Sequence, residues 1–239
     1  MTRPVSAPLP GRLALYLSGC LLFSLGAKLF IDSHLGVDPL DVLVLGIVGH
    51  TGVTVGIASG AVAIGFLLLW SLWNRRRPPL SPFMTMFLVG SLIDLWIWLE
   101  LERVTQAILA AVPMLATGLL LASFGSALII VAGIGIRIMD LVAITMVERW
   151  RWQFWQAKLA LEVFFVASGW VLGGPVGVGT LAFVVVVGPM MQLFMALVTK
   201  VLGTVNHGLP GPLASAHTDA ARPDAAHPDA AGPAAASGR

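Results

Sequence analysis

Apolar residues fill this chain in long blocks, without the strict alternation of a half-buried strand or the one-sided spacing of a surface helix. Six blocks, at 13–31, 53–73, 82–99, 111–133, 157–173 and 180–202, reach or approach the roughly 20 residues a helix needs to cross the hydrocarbon core. Two others, 40–49 and 139–147, are equally apolar but too short to cross. Each of the short blocks starts at an acid, Asp41 or Asp140, shortly after a glycine, Gly36 or Gly135. The pattern predicts an all-α membrane protein with six transmembrane helices and two short half-helices.

Composition supports the same class. Hydrophobic residues make up 57% of the 239 and charged residues 11%, with a mean hydropathy of +0.90. Soluble domains carry about 25% charged residues. The excess of +2 charges and the pI near 9.1 do not point to nucleic acid, because the basic residues sit at the ends of apolar blocks, where they set orientation in the bilayer. Residues 204–239 are rich in Ala, Pro, Asp and His, with AARPDAAHPDAAG as an imperfect repeat, and read as a disordered tail. The histidines His207, His217 and His227 recur along it, as expected of a solvated tail more than of a metal site.

Comparing the chain with itself explains the short blocks. An offset of 99 (140 minus 41) lays Asp140 on Asp41, Gly135 on Gly36, and TGLLLASFGSALII on SGCLLFSLGAKLFI. Identities fall at Gly19/Gly118, Ser24/Ser123 and Gly26/Gly125, among others. The expected organisation is a short N-terminus (1–12), one membrane repeat at 13–104, a second at 105–203, and the tail. The basic marks Arg75 to Arg77 and Arg149 to Arg151 are expected on the cytoplasmic side. With Arg3 and Arg12 also inside, this holds only if 40–49 dips into the membrane and returns. Each repeat then has three spans, the second enters from the opposite side, and both termini are cytoplasmic. Such inverted-topology repeats frame the central site of many secondary transporters, and interrupted segments at matching positions point to that site.

The candidate pathway residues follow from this frame: Asp38, Asp41, Asp94, Arg137, Asp140, Lys158 and Glu162. Asp41 and Asp140 either cap the short helices they open or contact solute or protons directly; a carboxylate near a helix N-terminus suits either role. Lys158 and Glu162, four residues apart, share a helix face and neutralise each other. An intramembrane Glu without partner or water costs several kcal/mol, about 2.5–3.5 on insertion scales for other charged residues, so Glu162 has a partner or a purpose. Arg137, Asp140, Lys158 and Glu162 would make a balanced cluster if they meet. Asp94 lies toward the outer end of its block, an interfacial position as much as a pathway one. Lys28 and Asp32 are expected to form a solvated pair.

Other features call for plainer readings. Cys20 closes LSGC, which imitates a lipoprotein cleavage box, but the helical pattern runs straight through it. LGGPVGVGT (172–180) lacks the lysine and preceding strand of a phosphate loop and reads as a tight connection. The small residues of the repeated first helices suit close helix packing. There is no HExxH, GxSxG or ATP-binding motif, so neither an enzyme nor a cofactor is expected.

GVDPLDVLVLGI, the following TGVTVG (51–56), KLALE (158–162) and LGGPVGVGT together resemble the YczE/YitT-type bacterial integral membrane proteins, across roughly 12–200. That family commonly has Trp between the proline and the first aspartate and Arg four residues before the helix glutamate. Here Leu40 and Lys158 stand in those places, and Ile138 and Met139 precede Asp140. The resemblance implies a bacterial inner-membrane address and, since export has been proposed for members, a small-molecule exporter. The expected function is thus a secondary transporter or exporter of an unknown small solute within the lipid bilayer. The alternative is a non-transporting accessory or scaffold that supports another transporter, sensor or biosynthetic enzyme. A homo-oligomer or a membrane partner protein is compatible with either.

Overall fold

A computed structural model describes residues 8–209; Arg3, His217 and His227 lie outside the described residues. Among those, nine helices and no strands are found. They are α1 (Leu9–Asp32), α2 (Pro39–Thr51), α3 (Val55–Asn74), α4 (Ser81–Trp98), α5 (Leu101–Ile108), α6 (Ala111–Ala132), α7 (Ile138–Trp150), α8 (Phe154–Val171) and α9 (Val178–Leu202). Five of them, α1, α3, α4, α6 and α9, are long and apolar enough to cross a membrane. α8 matches α4 in length at 18 residues, but Lys158 and Glu162 dilute its apolar character. At about 1.5 Å per residue, the 13-residue helices α2 and α7 reach only ~20 Å, short of the ~30 Å hydrocarbon core.

Burial is the reverse of what water would select. Leu68, Phe87, Phe164, Val185 and Leu193 are exposed, while Lys28, Asp32, Asp140, Lys158 and Glu162 are buried. Large apolar side chains turned outward, with the membrane-embedded charges held inside an otherwise apolar core, are what a bilayer solvent demands.

The centre is the crossing of α1 and α6. A β-carbon added at Gly19 would lie 2.8 Å from the Gly125 carbonyl oxygen, and one at Gly118 would lie 2.9 Å from that of Gly26. As α1 ascends from 19 to 26, its partner therefore descends from 125 to 118. The two helices run antiparallel, with backbones in near contact, as small residues permit. At one end Arg12 Nε donates to the Ala132 carbonyl at 2.8 Å. Around this pair, α4 packs on α1 and α9 on α6, while α2 lies against α8 and α3 against α7.

Several expectations change in detail. The stretch 100–110, too short and polar to register as an apolar block, holds α5, whose Glu102 reaches Lys28 (3.9 Å) and His34 (3.5 Å). Lys28 and Asp32 are paired but buried, not solvated, because neighbouring helices cover the end of α1. Residues 204–209, assigned from composition to the tail, are seated on α6: the His207 amide donates to the Val131 carbonyl at 3.1 Å and Leu209 is buried. LGGPVGVGT is more than a connection. The Thr180 hydroxyl donates to the Val37 carbonyl at 2.7 Å and accepts from the Val37 amide at 3.1 Å, tying α9 to the loop that precedes α2.

Candidate functional site

Each short helix is launched from a pinned loop. Before α2, Gly36 passes so close to α9 that a β-carbon there would lie 2.6 Å from the Thr180 amide nitrogen. Before α7, Gly135 adopts φ +59°, and the Thr85 hydroxyl of α4 donates to its carbonyl. With its own proton used this way, Thr85 accepts from the Tyr16 hydroxyl at 2.9 Å. A threonine on the last long helix of each half thus fixes the loop ahead of the other half's short helix.

The two helix starts differ in chemistry. Asp38 is the N-cap of α2, its carboxylate accepting the Leu40 amide at 2.8 Å. Asp41, expected as a possible cap, makes no hydrogen bond or ion pair among the described residues and is exposed along the wall of a cavity. Capping in α2 falls to Asp38 because it stands one residue before the first helical position, where its oxygen meets free amides. α7 has no side-chain cap; Arg137 occupies that place and turns to Asp140. The capping reading for Asp140 therefore gives way to ion pairing.

Around Asp140 the structure brings together two local pairs from successive helices, Arg137 with Asp140 on α7 and Lys158 with Glu162 on α8. Arg137 Nε and Nη2 each lie 2.7 Å from Asp140 Oδ2, Lys158 Nζ lies 3.3 Å from Asp140 Oδ1, and Lys158 Nζ lies 2.7 Å from Glu162 Oε1. Asp140 is 0% exposed, Glu162 3% and Lys158 5%. Two cations alternate with two anions, so the buried charges compensate one another, and losing one member would leave a charge short of its partner. The Arg137 guanidinium also lies over the Phe23 ring, 4.3 Å from its centre.

The cluster forms part of the wall of a cavity of about 740 Å³. Arg137, Lys158, Glu162, Asp38 and Asp41 all line it, with Phe30, Phe165 and Phe183 among the apolar walls. Asp140 stands behind Arg137 and Lys158. Volume and lining fit a small molecule with an apolar body, since ligand cavities are mostly apolar with a few convergent polar groups. Asp94 is exposed on α4 and does not line the cavity, so the structure does not bring it to the other six candidates. Among the described residues no cluster of metal-ligating side chains is found.

Sequence reasoning missed Phe23, Tyr16, Thr85 and Thr180. Tyr16 is the chain's lone tyrosine, and Thr85 and Thr180 are hydroxyls within apolar blocks, which was the available signal.

Fold and site define an all-helical, multi-pass membrane protein with a charged cavity between its helices. The chain belongs to DUF6198, a family of unknown function whose profile matches residues 10–196. It is 27% identical over 187 residues to the "uncharacterized membrane protein YczE" of Bacillus subtilis, covering 76% of this chain and 84% of that one. It is 26% identical over 183 residues to the "uncharacterized protein YyaS" of the same organism, covering 76% and 91%. A Haemophilus influenzae protein is 25% identical over 186 residues, covering 75% and 81%. No solved structure gives a significant match.

Proposed function

We propose that the chain is a secondary transporter or exporter of a small solute, built as two inverted repeats of three spans and one half-helix, α1–α4 and α6–α9. α8 is the sixth span, its two charges neutralised by each other and by Asp140. The observation that carries the proposal is a cavity lined by both halves and bordered by a compensated intramembrane ion cluster. Inversion is supported by the antiparallel crossing of α1 and α6, in which Gly19 meets Gly125 while Gly118 meets Gly26, an exchange that a twofold relation requires. Three sets of helix pairings also exchange, α1 with α4 and α6 with α9, α2 with α8 and α7 with α3, α2 with α3 and α7 with α8, whereas α9 packs on α8 without matching α3–α4 packing.

The cluster supplies a coupling device. A proton on Asp140 or Glu162 removes one counter-charge from Lys158, and a buried ammonium left short of negative charge favours an arrangement that finds another. Asp41, without an ionic partner on the cavity wall, is the carboxylate available to a solute or to an incoming proton.

In this reading both described chain ends face the cytoplasm across a bacterial inner membrane, which the basic residues at Arg12, Arg75 to Arg77, Arg149 and Arg151 support through the positive-inside tendency. In a Cys20→Ser background, a single cysteine at position 34 should react with an impermeant maleimide in intact cells, and one at position 76 only after permeabilisation. Reaction of both from outside would end the inverted arrangement. For transport, growth of cells with and without the gene under a panel of toxic compounds selects a solute. Its pH-gradient-driven flux in proteoliposomes should vanish in Asp140→Asn. No growth difference and no flux, with a partner protein co-purifying, would favour the accessory reading.

A further inference from the structure

A second cavity, of about 860 Å³, lies at the end of the bundle where α3 and α7 terminate. The two helix ends are held together: Trp70 Nε1 donates to the Thr145 hydroxyl at 2.9 Å, and the Trp73 and Trp150 rings lie 5.4 Å apart. Arg75, Arg76 and Arg149 line this cavity with Trp70 and Trp73, and Glu148 is its one acidic lining residue. None of the three arginines has a carboxylate within 4 Å among the described residues.

The charge balance leaves an excess. Each helix C-terminus contributes about −0.5 of a charge. Two such ends and Glu148 offset about two of the three guanidinium charges, leaving roughly one positive charge in a concave, tryptophan-walled site. His207, also on the lining, adds none at neutral pH: burial first, and Arg12 second, hold its imidazole below the ordinary histidine range. An orienting role for the basic cluster needs positive charge on this side of the membrane, but not three guanidiniums, from the ends of two helices distant in sequence, converging on one cavity. Guanidinium groups pair with phosphate oxygens through two parallel hydrogen bonds, and tryptophan favours the depth of lipid headgroups.

The geometry points to a binding site for a phosphate-bearing anion between the ends of α3 and α7, with Arg75, Arg76 and Arg149 as its ligands. The phosphate of an anionic phospholipid and free inorganic phosphate share this chemistry. The site is separate from the solute cavity and does not depend on whether the protein transports.

The test compares thermal unfolding of the full chain in detergent with phosphatidylglycerol, phosphatidylcholine or inorganic phosphate added. Wild type should be stabilised by phosphatidylglycerol and not by phosphatidylcholine. The half-saturating phosphatidylglycerol concentration should rise about tenfold or more in Arg76→Gln/Arg149→Gln, since each basic group near an anionic lipid contributes about fivefold. Arg77→Gln/Arg151→Gln, altered on the same surface but off the cavity, should shift it less than about twofold. Because each variant is compared with itself across additives, a lower starting stability does not obscure the result. Stabilisation by inorganic phosphate with the same dependence on the cavity arginines would assign the site to free phosphate. No stabilisation by either anion, or equal loss in both double variants, would overturn the proposal.

Discussion

The two short helices match in length and in place, and their acids Asp41 and Asp140 fall at the same offset, yet these acids keep opposite company. Asp140 is sealed between Arg137 and Lys158, whereas Asp41 is exposed on the cavity wall without an ionic partner. The same offset of 99 (140 minus 41) explains why. It sets Asp38 against Arg137, Ser59 against Lys158 and Ala63 against Glu162. The first half thus holds a capping acid and two small residues where the second holds a complete ion cluster. A buried charge is stable only in a full set, so one half carries the whole set and the other packs without it. The comparison teaches that equivalent carboxylates need not do equivalent work: Asp140 acts through its partners and Asp41 through its freedom.

The largest predicted difference between the halves is in stability. Among the described residues Asp140 is the one ion-pair partner of Arg137 and one of two of Lys158, so Asp140→Ala should cost about 3–5 kcal/mol in detergent unfolding. Asp41→Ala should stay within ~0.5 kcal/mol. Similar losses at the two positions would erase the distinction. A double-mutant cycle between Asp140→Asn and Lys158→Met should give a coupling of about 0.5–3 kcal/mol; zero coupling would dissolve the cluster as an energetic unit.

Next come the loop pins. Thr180→Val leaves the Val37 amide and carbonyl without partners, and Thr85→Val does the same to the Tyr16 hydroxyl and the Gly135 carbonyl. Each should lose about 1–3 kcal/mol, the cost of an unsatisfied buried polar group. A loss at only one would show that the launching loops are not equivalent. The smallest effect is at the cap: Asp38→Ala should cost about 1 kcal/mol, and Asp38→Asn, which can still cap, much less. Equal losses for the two would mean that Asp38 acts through its charge.

The helices were legible because bilayer-spanning and core helices are written in unbroken apolar runs. Eight of the nine correspond to blocks in the sequence; α5, polar and eight residues long, left no such trace. The pairing of Lys158 with Glu162 could be read from helical spacing alone, and the likeness of Asp41 to Asp140 from internal repetition. That Asp38 rather than Asp41 caps α2 turned on a three-residue difference in where the helix starts, finer than hydropathy can resolve. Asp94 shared the chemistry of the other candidates, but its helix turns it away from the cavity.

The sequence by itself determined the class of protein and the helix inventory but for one short element, because both rest on local apolarity, and self-likeness along the chain suggested the doubled plan proposed above. Only the tertiary structure decided that the Lys158–Glu162 pair meets Arg137 and Asp140. The link between the two pairs is the 3.3 Å contact of Lys158 with Asp140, and it depends on how α7 packs on α8, which spacing along the chain does not fix.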